Sequence, residues 1–245
     1  MIDYTKAFAA RDSRGFDKGL RDYMLKIYNY MTLALLVTGS LAFGTLNFPP
    51  LLHLMYNIGP HGEFMGTSVF GMIVTFAPLG IAIYLSTRIF NMSAQRAHTL
   101  FFVYAGLMGM SLSSLGLVYT GQSLARTFFV CSAVFGSMSL YGYTTKRDLT
   151  SMGSFLVMGL IGLIIVSLVN MYFRSPAIEF ATSFIGVAIF MGLTAWDTQK
   201  IKSMYYSAGG GETGQKIAIM GAFTLYLDFI NMFLFLLRFL GSRRQ

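Results

Sequence analysis

The sequence predicts an all-α integral membrane protein built as a bundle of seven transmembrane helices. Hydrophobic residues make up 55% of the chain and charged residues only 11%, whereas soluble domains carry about 25% charged residues. Seven apolar runs are each close to the roughly 20 residues that a membrane-spanning helix needs. The runs show none of the alternation of barrel strands, whose spans are about 10 residues long.

The first two predicted helices are residues 27–46 and 66–86. The preceding segment, 1–26, is polar and holds six basic and four acidic residues, so we predict a polar cytoplasmic segment there. The first apolar run is too long for a cleaved signal peptide and is expected to remain in the membrane. Residues 47–65 contain "NFPP", which predicts a loop.

The next three predicted helices cover residues 98–119, 123–143 and 153–173, with short connections. In the first of them Ala105, Gly109 and Ser113 recur at every fourth position. This spacing of small residues lets helix backbones approach closely in lipid, so we expect close packing along that face.

The last two predicted helices are residues 177–197 and 216–240. The glycine-rich "SAGGGETG" at 207–214 predicts a loop between them. The transmembrane domain is thus expected to cover residues 27–241, followed by a short basic tail at 242–245.

Basic residues predict the orientation of the bundle. In a seven-helix arrangement, thirteen Lys and Arg fall on the amino-terminal side and five on the other. Since basic residues collect in cytoplasmic loops, the amino terminus is expected in the cytoplasm. The basic carboxyl end would then lie outside. An alternative with six spans and one re-entrant segment would return that end to the cytoplasm.

Asp228 is the ionisable residue placed deepest in an apolar run. It lies 12 residues after Lys216, about 18 Å into a hydrocarbon core of about 30 Å. An acid at this depth costs at least about 2.5 to 3.5 kcal/mol on insertion scales, and such residues generally face the bundle interior. Thr224 and Asn231 share its helical face. This stripe is either a proton or cation site with Thr224 and Asn231 as polar support, or a polar cluster that only fixes helix packing.

Asp197, in "WDTQK", is either a solvated helix end or a partner of Asp228 across the last two helices. Two carboxylates in one site cannot both ionise easily, so such a pair would titrate in two steps and sense pH. Its deprotonated oxygens would suit Ca²⁺. Against contact stands an axial mismatch of about 12 Å, if the two helices end and start near residues 203 and 214.

Other kinds of function find little support in the chain. We see no GxSxG elbow, phosphate-binding loop or HExxH motif, so we predict that the protein is not an enzyme and needs no cofactor. The single cysteine, Cys131, excludes an intramolecular disulfide. The net charge of +8 is explained by topology and does not indicate nucleic-acid binding. Arg88, expected on the same membrane side as Asp197, is either a cytoplasmic anchor or its counter-ion.

Three segments carry a resemblance to a known family: "GLTAWDTQKIK" (192–202), "LYLDFINMFLFLLRFLG" (225–241) and "SLYGYTTKRDLTSMGSFL" (139–156). They resemble the transmembrane Bax inhibitor motif family, the Bax inhibitor type one proteins and their bacterial relatives, over residues 20–241. The resemblance implies a seven-helix bundle with the last helix at its centre.

For bacterial members the resemblance implies a pH-sensitive Ca²⁺ leak in the plasma membrane, governed by a pair of aspartates. The family's two acids fall on Asp197 and Asp228, which would act as pH sensor and as Ca²⁺ ligands. An arginine that latches onto the first acid has its nearest match in Arg88, although the surrounding "STRIFNMSAQRAH" aligns poorly.

The same resemblance implies an alternative function. Some proteobacterial members look like modulators of a membrane-bound ATP-dependent protease. On this reading the chain is an interaction protein that conducts nothing and acts on a protease or another stress-response partner.

Overall fold

The computed structural model describes residues 4–60, 63–207, 211–242 and 244. In that part of the chain, seven helices are long and apolar enough to cross a membrane, which confirms the predicted fold class. The candidate spans are Lys18–Asn47, Val69–Asn91, Ala94–Val118, Gly121–Thr144, Thr150–Phe173, Pro176–Tyr206 and Glu212–Leu240.

The spans belong to a longer series of elements. In chain order, the helices are α1 (Tyr4–Asn47), α2 (Pro49–Met55), α3 (Val69–Arg88), α4 (Ala94–Leu112), α5 (Leu115–Val118), α6 (Gly121–Thr144), α7 (Thr150–Phe173), α8 (Pro176–Ser207) and α9 (Glu212–Leu240); strands β1 (Tyr56–Ile58) and β2 (Phe64–Thr67) lie between α2 and α3, and a 3₁₀ turn (Ile89–Asn91) follows α3.

The amino-terminal segment does not form an element separate from the first span. Helix α1 is continuous from Tyr4 to Asn47 and passes through the predicted boundary at residue 26. Residues 1–3 of the predicted segment lie outside the described residues.

The predicted loop at 47–65 contains ordered secondary structure. Pro49 and Pro50 open α2, a position where proline suits a helix because its missing N–H would have no partner there. The antiparallel hairpin of β1 and β2 follows. Tyr56, the first residue of β1, is buried, and its hydroxyl lies 2.8 Å from Ser113 Oγ. This connection therefore packs against the bundle.

Helix α9 is the centre of the bundle, as the resemblance implied. In its most apolar 18-residue window 61% of residues are buried, against at most 39% in any other span of the described chain. It packs against α1, α4, α6 and α8. A helix surrounded on all sides carries apolar residues around its whole circumference, which "LYLDFINMFLFLL" shows. By length and composition α9, like the other six candidate spans of the described chain, can cross a membrane; the six-span alternative stays a prediction.

Two glycines show how closely the helices approach. A Cβ on Gly109 of α4 would lie 2.4 Å from the carbonyl oxygen of Thr38 in α1, so the predicted small-residue face packs closely, as expected. A Cβ on Gly142 of α6 would lie 2.1 Å from the carbonyl oxygen of Ala195 in α8. Both contacts are backbone against backbone and require a residue without a side chain.

The carboxyl tail returns to the bundle. The Ser242 N–H donates to Ser123 Oγ at 2.9 Å, and the Arg244 N–H donates to the carbonyl of Val118 at 2.8 Å. The tail is thus held at the start of α6. Residues 243 and 245 of the predicted basic tail lie outside the described residues.

Candidate functional site

The structure brings Asp197 of α8 and Asp228 of α9 together. Their carboxyl groups lie close enough to interact with each other, and the two residues are only 7% and 5% exposed. A hydrogen bond between two carboxyl groups requires one proton between them, since ionised carboxylates only accept. Sharing one proton would spare this buried pair the repulsion of two like charges.

The axial mismatch expected from the sequence is resolved by the register of α8 and α9. The first turns of α9, from Glu212, extend past the end of α8 at Ser207. A Cβ on Gly221 would lie 3.2 Å from Ile201 Cγ2, and the rings of Phe190 and Phe235 stack with centroids 5.9 Å apart. This antiparallel register places Asp197 opposite Asp228.

A polar cluster borders the pair on the α8 side. The hydroxyl groups of Thr198 and Ser139 lie 2.9 Å apart, and Ser139 is hydrogen-bonded to the hydroxyl of Tyr28. Thr198 and Ser139 are 0% and 4% exposed. The cluster joins α1, α6 and α8 beside Asp197. Buried hydroxyls that satisfy one another in this way hold their helices in one relative position.

One oxygen of the pair has no protein partner. Asp228 Oδ2 is buried and accepts no hydrogen bond in the described part of the molecule. The Lys200 side chain interacts electrostatically with Asp197. Its ammonium lies 4.9 Å from the Trp196 ring centroid. The pair thus offers one free carboxyl oxygen.

The other predicted site residues lie elsewhere. The Asn231 side chain donates to the carbonyl of Leu227 in its own helix at 2.8 Å, and Thr224 is half-buried with no hydrogen bond to either aspartate. Arg88 is exposed at the end of α3, and no ion pair joins it to an aspartate within the ranges that the structure describes. Their predicted roles as support and latch stay predictions.

Sequence reasoning missed the hydroxyl cluster. Thr198 was visible beside Asp197 in "WDTQK", but nothing marked Tyr28 or Ser139, which belong to other helices. Among the described residues, no group of three or more His, Cys, Asp or Glu could hold a metal ion. Any cation at the pair would have only two carboxylates from the protein.

The fold and the site define a class: a multi-pass helical membrane protein with two buried aspartates where its central helix meets α8. The comparison with known families agrees. A family model described as "Bax1-I: Inhibitor of apoptosis-promoting Bax1" matches residues 20–245, and the chain belongs to this Bax inhibitor-1-like family.

Relatives cover almost the whole chain. An uncharacterized protein of Rickettsia prowazekii (strain Madrid E), RP147, is 62% identical over the full length of both chains. The inner membrane protein YbhL of Escherichia coli (strain K12) is 44% identical over 92% of this chain and 94% of its own. An uncharacterized protein of Caulobacter vibrioides is 42% identical over the full length of both.

Proposed function

We propose that the protein is a pH-sensitive Ca²⁺ leak channel of a bacterial inner membrane, in which Asp197 and Asp228 are the proton sensor. The observation that supports this function best is the close approach of the two buried carboxyl groups. The inner-membrane location follows by analogy with the E. coli relative, and the cytoplasmic amino terminus from the distribution of basic residues.

The proton between the carboxyl groups couples pH to the contact of α8 with α9. While one proton is shared, the pair is a hydrogen bond that joins the two helices. When that proton leaves, two like charges face each other in a site that water barely reaches, and the contact becomes repulsive. Helix α9 therefore has two states, one joined to α8 and one repelled from it, and their populations depend on pH.

Ca²⁺ is the cation whose chemistry fits the deprotonated pair. It prefers oxygen ligands and takes six to eight of them. Two carboxylates supply only part of that number, so water must complete the shell. Such a site binds weakly, and conduction requires binding that is weak enough for the ion to leave. Protons and Ca²⁺ would compete for the same oxygens, among them the unpartnered Asp228 Oδ2.

The test is Ca²⁺ flux into proteoliposomes across a pH series, comparing the parent protein with Asp228→Asn. The substitution keeps the size of the side chain and removes its titration, so we expect flux whose pH response is lost. Asp22→Asn, at an exposed acid of α1, is the matched control and should keep the response. Identical pH profiles for the parent and Asp228→Asn would refute the sensor role.

A second candidate is an interaction protein that modulates a membrane-bound ATP-dependent protease without conducting ions. One observation favours it: α1 begins at Tyr4, well before the apolar run that starts at residue 27, which leaves a helical extension for a partner. This candidate predicts no Ca²⁺ flux above protein-free liposomes at any pH. It also predicts that deleting residues 1–17 abolishes co-purification with the protease.

A further inference from the structure

Helices α1 and α6 leave a groove between them that faces the lipid. In the described chain they hardly touch, apart from the hydrogen bond between Tyr28 and Ser139. Three cavities of about 690, 430 and 360 Å³ follow one another along this gap. The first two share Met31 and Phe135, and the last two share Phe229 of the central helix. We call this continuous feature the α1–α6 groove.

Two glycines line the groove at positions where larger side chains would fill it. Gly39 of α1 and Gly136 of α6 line it. A Cβ added to either glycine would meet nothing within 4 Å, unlike Gly142 one and a half turns further along α6. The remaining walls are mainly leucine, methionine and phenylalanine. The α1–α6 groove is therefore an apolar cleft that is open toward the lipid.

Positive charge marks one end of the groove. Exposed Arg21 lines it together with Tyr143, and the Lys202 ammonium lies 4.9 Å from the centroid of the Tyr143 ring. Lys18 is exposed one turn before Arg21, and the described acid next to them is Asp22. Because Arg21 lies six residues before the apolar run that starts at residue 27, about 9 Å along the helix, this end is at the level of the lipid headgroups.

The size of the groove favours a lipid chain over a transmembrane helix. A spanning helix is a cylinder about 10 Å wide and about 30 Å long, or about 2400 Å³, which exceeds the three cavities combined. An acyl chain is far thinner and already surrounds the protein. Basic sites between transmembrane helices on the headgroup level are typical binding sites for anionic lipids.

We propose that the α1–α6 groove binds one acyl chain of an anionic phospholipid, whose phosphate is held by Arg21 with Lys202 nearby. The lipid fills the space between two helices that do not pack together. This inference does not depend on whether the protein conducts Ca²⁺.

The test is native mass spectrometry of the protein released from nanodiscs that contain equal amounts of phosphatidylglycerol and phosphatidylcholine with identical chains. We expect retained lipid to be enriched in phosphatidylglycerol. Arg21→Gln should lower that enrichment about fivefold, the effect of one basic residue near an anionic surface. Arg147→Gln, at an exposed arginine in the loop after α6, should leave it unchanged.

Filling the groove gives a second, independent measurement. Gly39→Leu with Gly136→Leu should lower retention of both lipids several-fold. Gly162→Leu, at an exposed glycine of α7 whose added Cβ also meets nothing within 4 Å, should retain lipid like the parent. The proposal is overturned if Arg21→Gln behaves like Arg147→Gln, or if the filled groove retains as much lipid as Gly162→Leu. It is also overturned if filling the groove converts a dimer to a monomer without changing lipid retention.

Discussion

Neutralising one member of the aspartate pair should make the protein more stable at high pH and leave it unchanged at low pH. The two acids are buried and interact with each other, and at hydrogen-bonding range the charge centres of two carboxylates lie about 4 Å apart. Two like charges at that distance repel by about 4 kcal/mol at an effective dielectric constant of about 20. Asp228→Asn removes this repulsion and can still donate a hydrogen bond to Asp197.

The sign follows from proton binding. The native pair holds a proton that an unfolded chain releases at ordinary acidic pH, so the free energy of unfolding of the parent falls as the pair deprotonates. Asp228→Asn cannot lose that proton, and its stability should depend less on pH. Lys200 offsets part of the repulsion, so we expect a difference of about 2 to 4 kcal/mol at high pH.

The assay is chemical denaturation in detergent across a pH series, followed by the emission of the single tryptophan, Trp196. Trp196 packs against Gly153 of α7, so its emission reports the separation of α7 from α8. Asp22→Asn serves as the control at an exposed acid. If Asp228→Asn is equally or less stable than the parent at every pH, with parallel curves, the pair does not hold a shared proton.

Two further predictions concern packing and capping. Gly142→Ala should lower the free energy of unfolding by about 1 to 3 kcal/mol, because its Cβ would overlap the Ala195 carbonyl. Gly136 on the same helix has open space around it, so Gly136→Ala should leave the free energy of unfolding unchanged. Equal melting temperatures for the two variants would contradict the contact of Gly142 with Ala195. The Asp148 carboxylate accepts hydrogen bonds from the N–H and hydroxyl of Thr150, at 2.9 and 2.6 Å, and these bonds lower the pKa of Asp148. Asp148→Ala should therefore lower the melting temperature at neutral pH, and the deficit should vanish once the pH falls below the pKa of the folded carboxyl; a deficit that persists there would show that the side chain acts by another route.

The helices were predictable because the bilayer sets the length and the apolar composition of every spanning helix, and each helix meets both requirements with its own residues. The last run was predicted at 216–240, and α9 spans Glu212–Leu240. The helix starts four residues earlier than predicted, because the first turn of α9 is polar and was not counted as part of the apolar run. The connection at 47–65 was harder to predict: its short helix and hairpin depend on packing against the bundle, of which the sequence carries no periodic signal.

The candidate site was predictable only in part. The depth of Asp228 in an apolar run marked it, because a charge there is costly wherever the helix lies. Its contact with Asp197 could not be decided, since helix lengths alone placed the two about 12 Å apart along the axis. The hydroxyls of Tyr28 and Ser139 carried no signal, because a tyrosine or serine in a membrane helix has many other uses.

The sequence by itself determined the number of apolar spans and showed that Asp228 lies too deep to reach water. Both follow from the hydropathy and length of a single helix in lipid. Only the tertiary structure decided which side chains that acid meets and where α1 and α6 stand apart. Both depend on the axial register and lateral arrangement of helices, which are set by contacts between segments distant in the chain, such as Gly142 on Ala195 and Gly221 on Ile201.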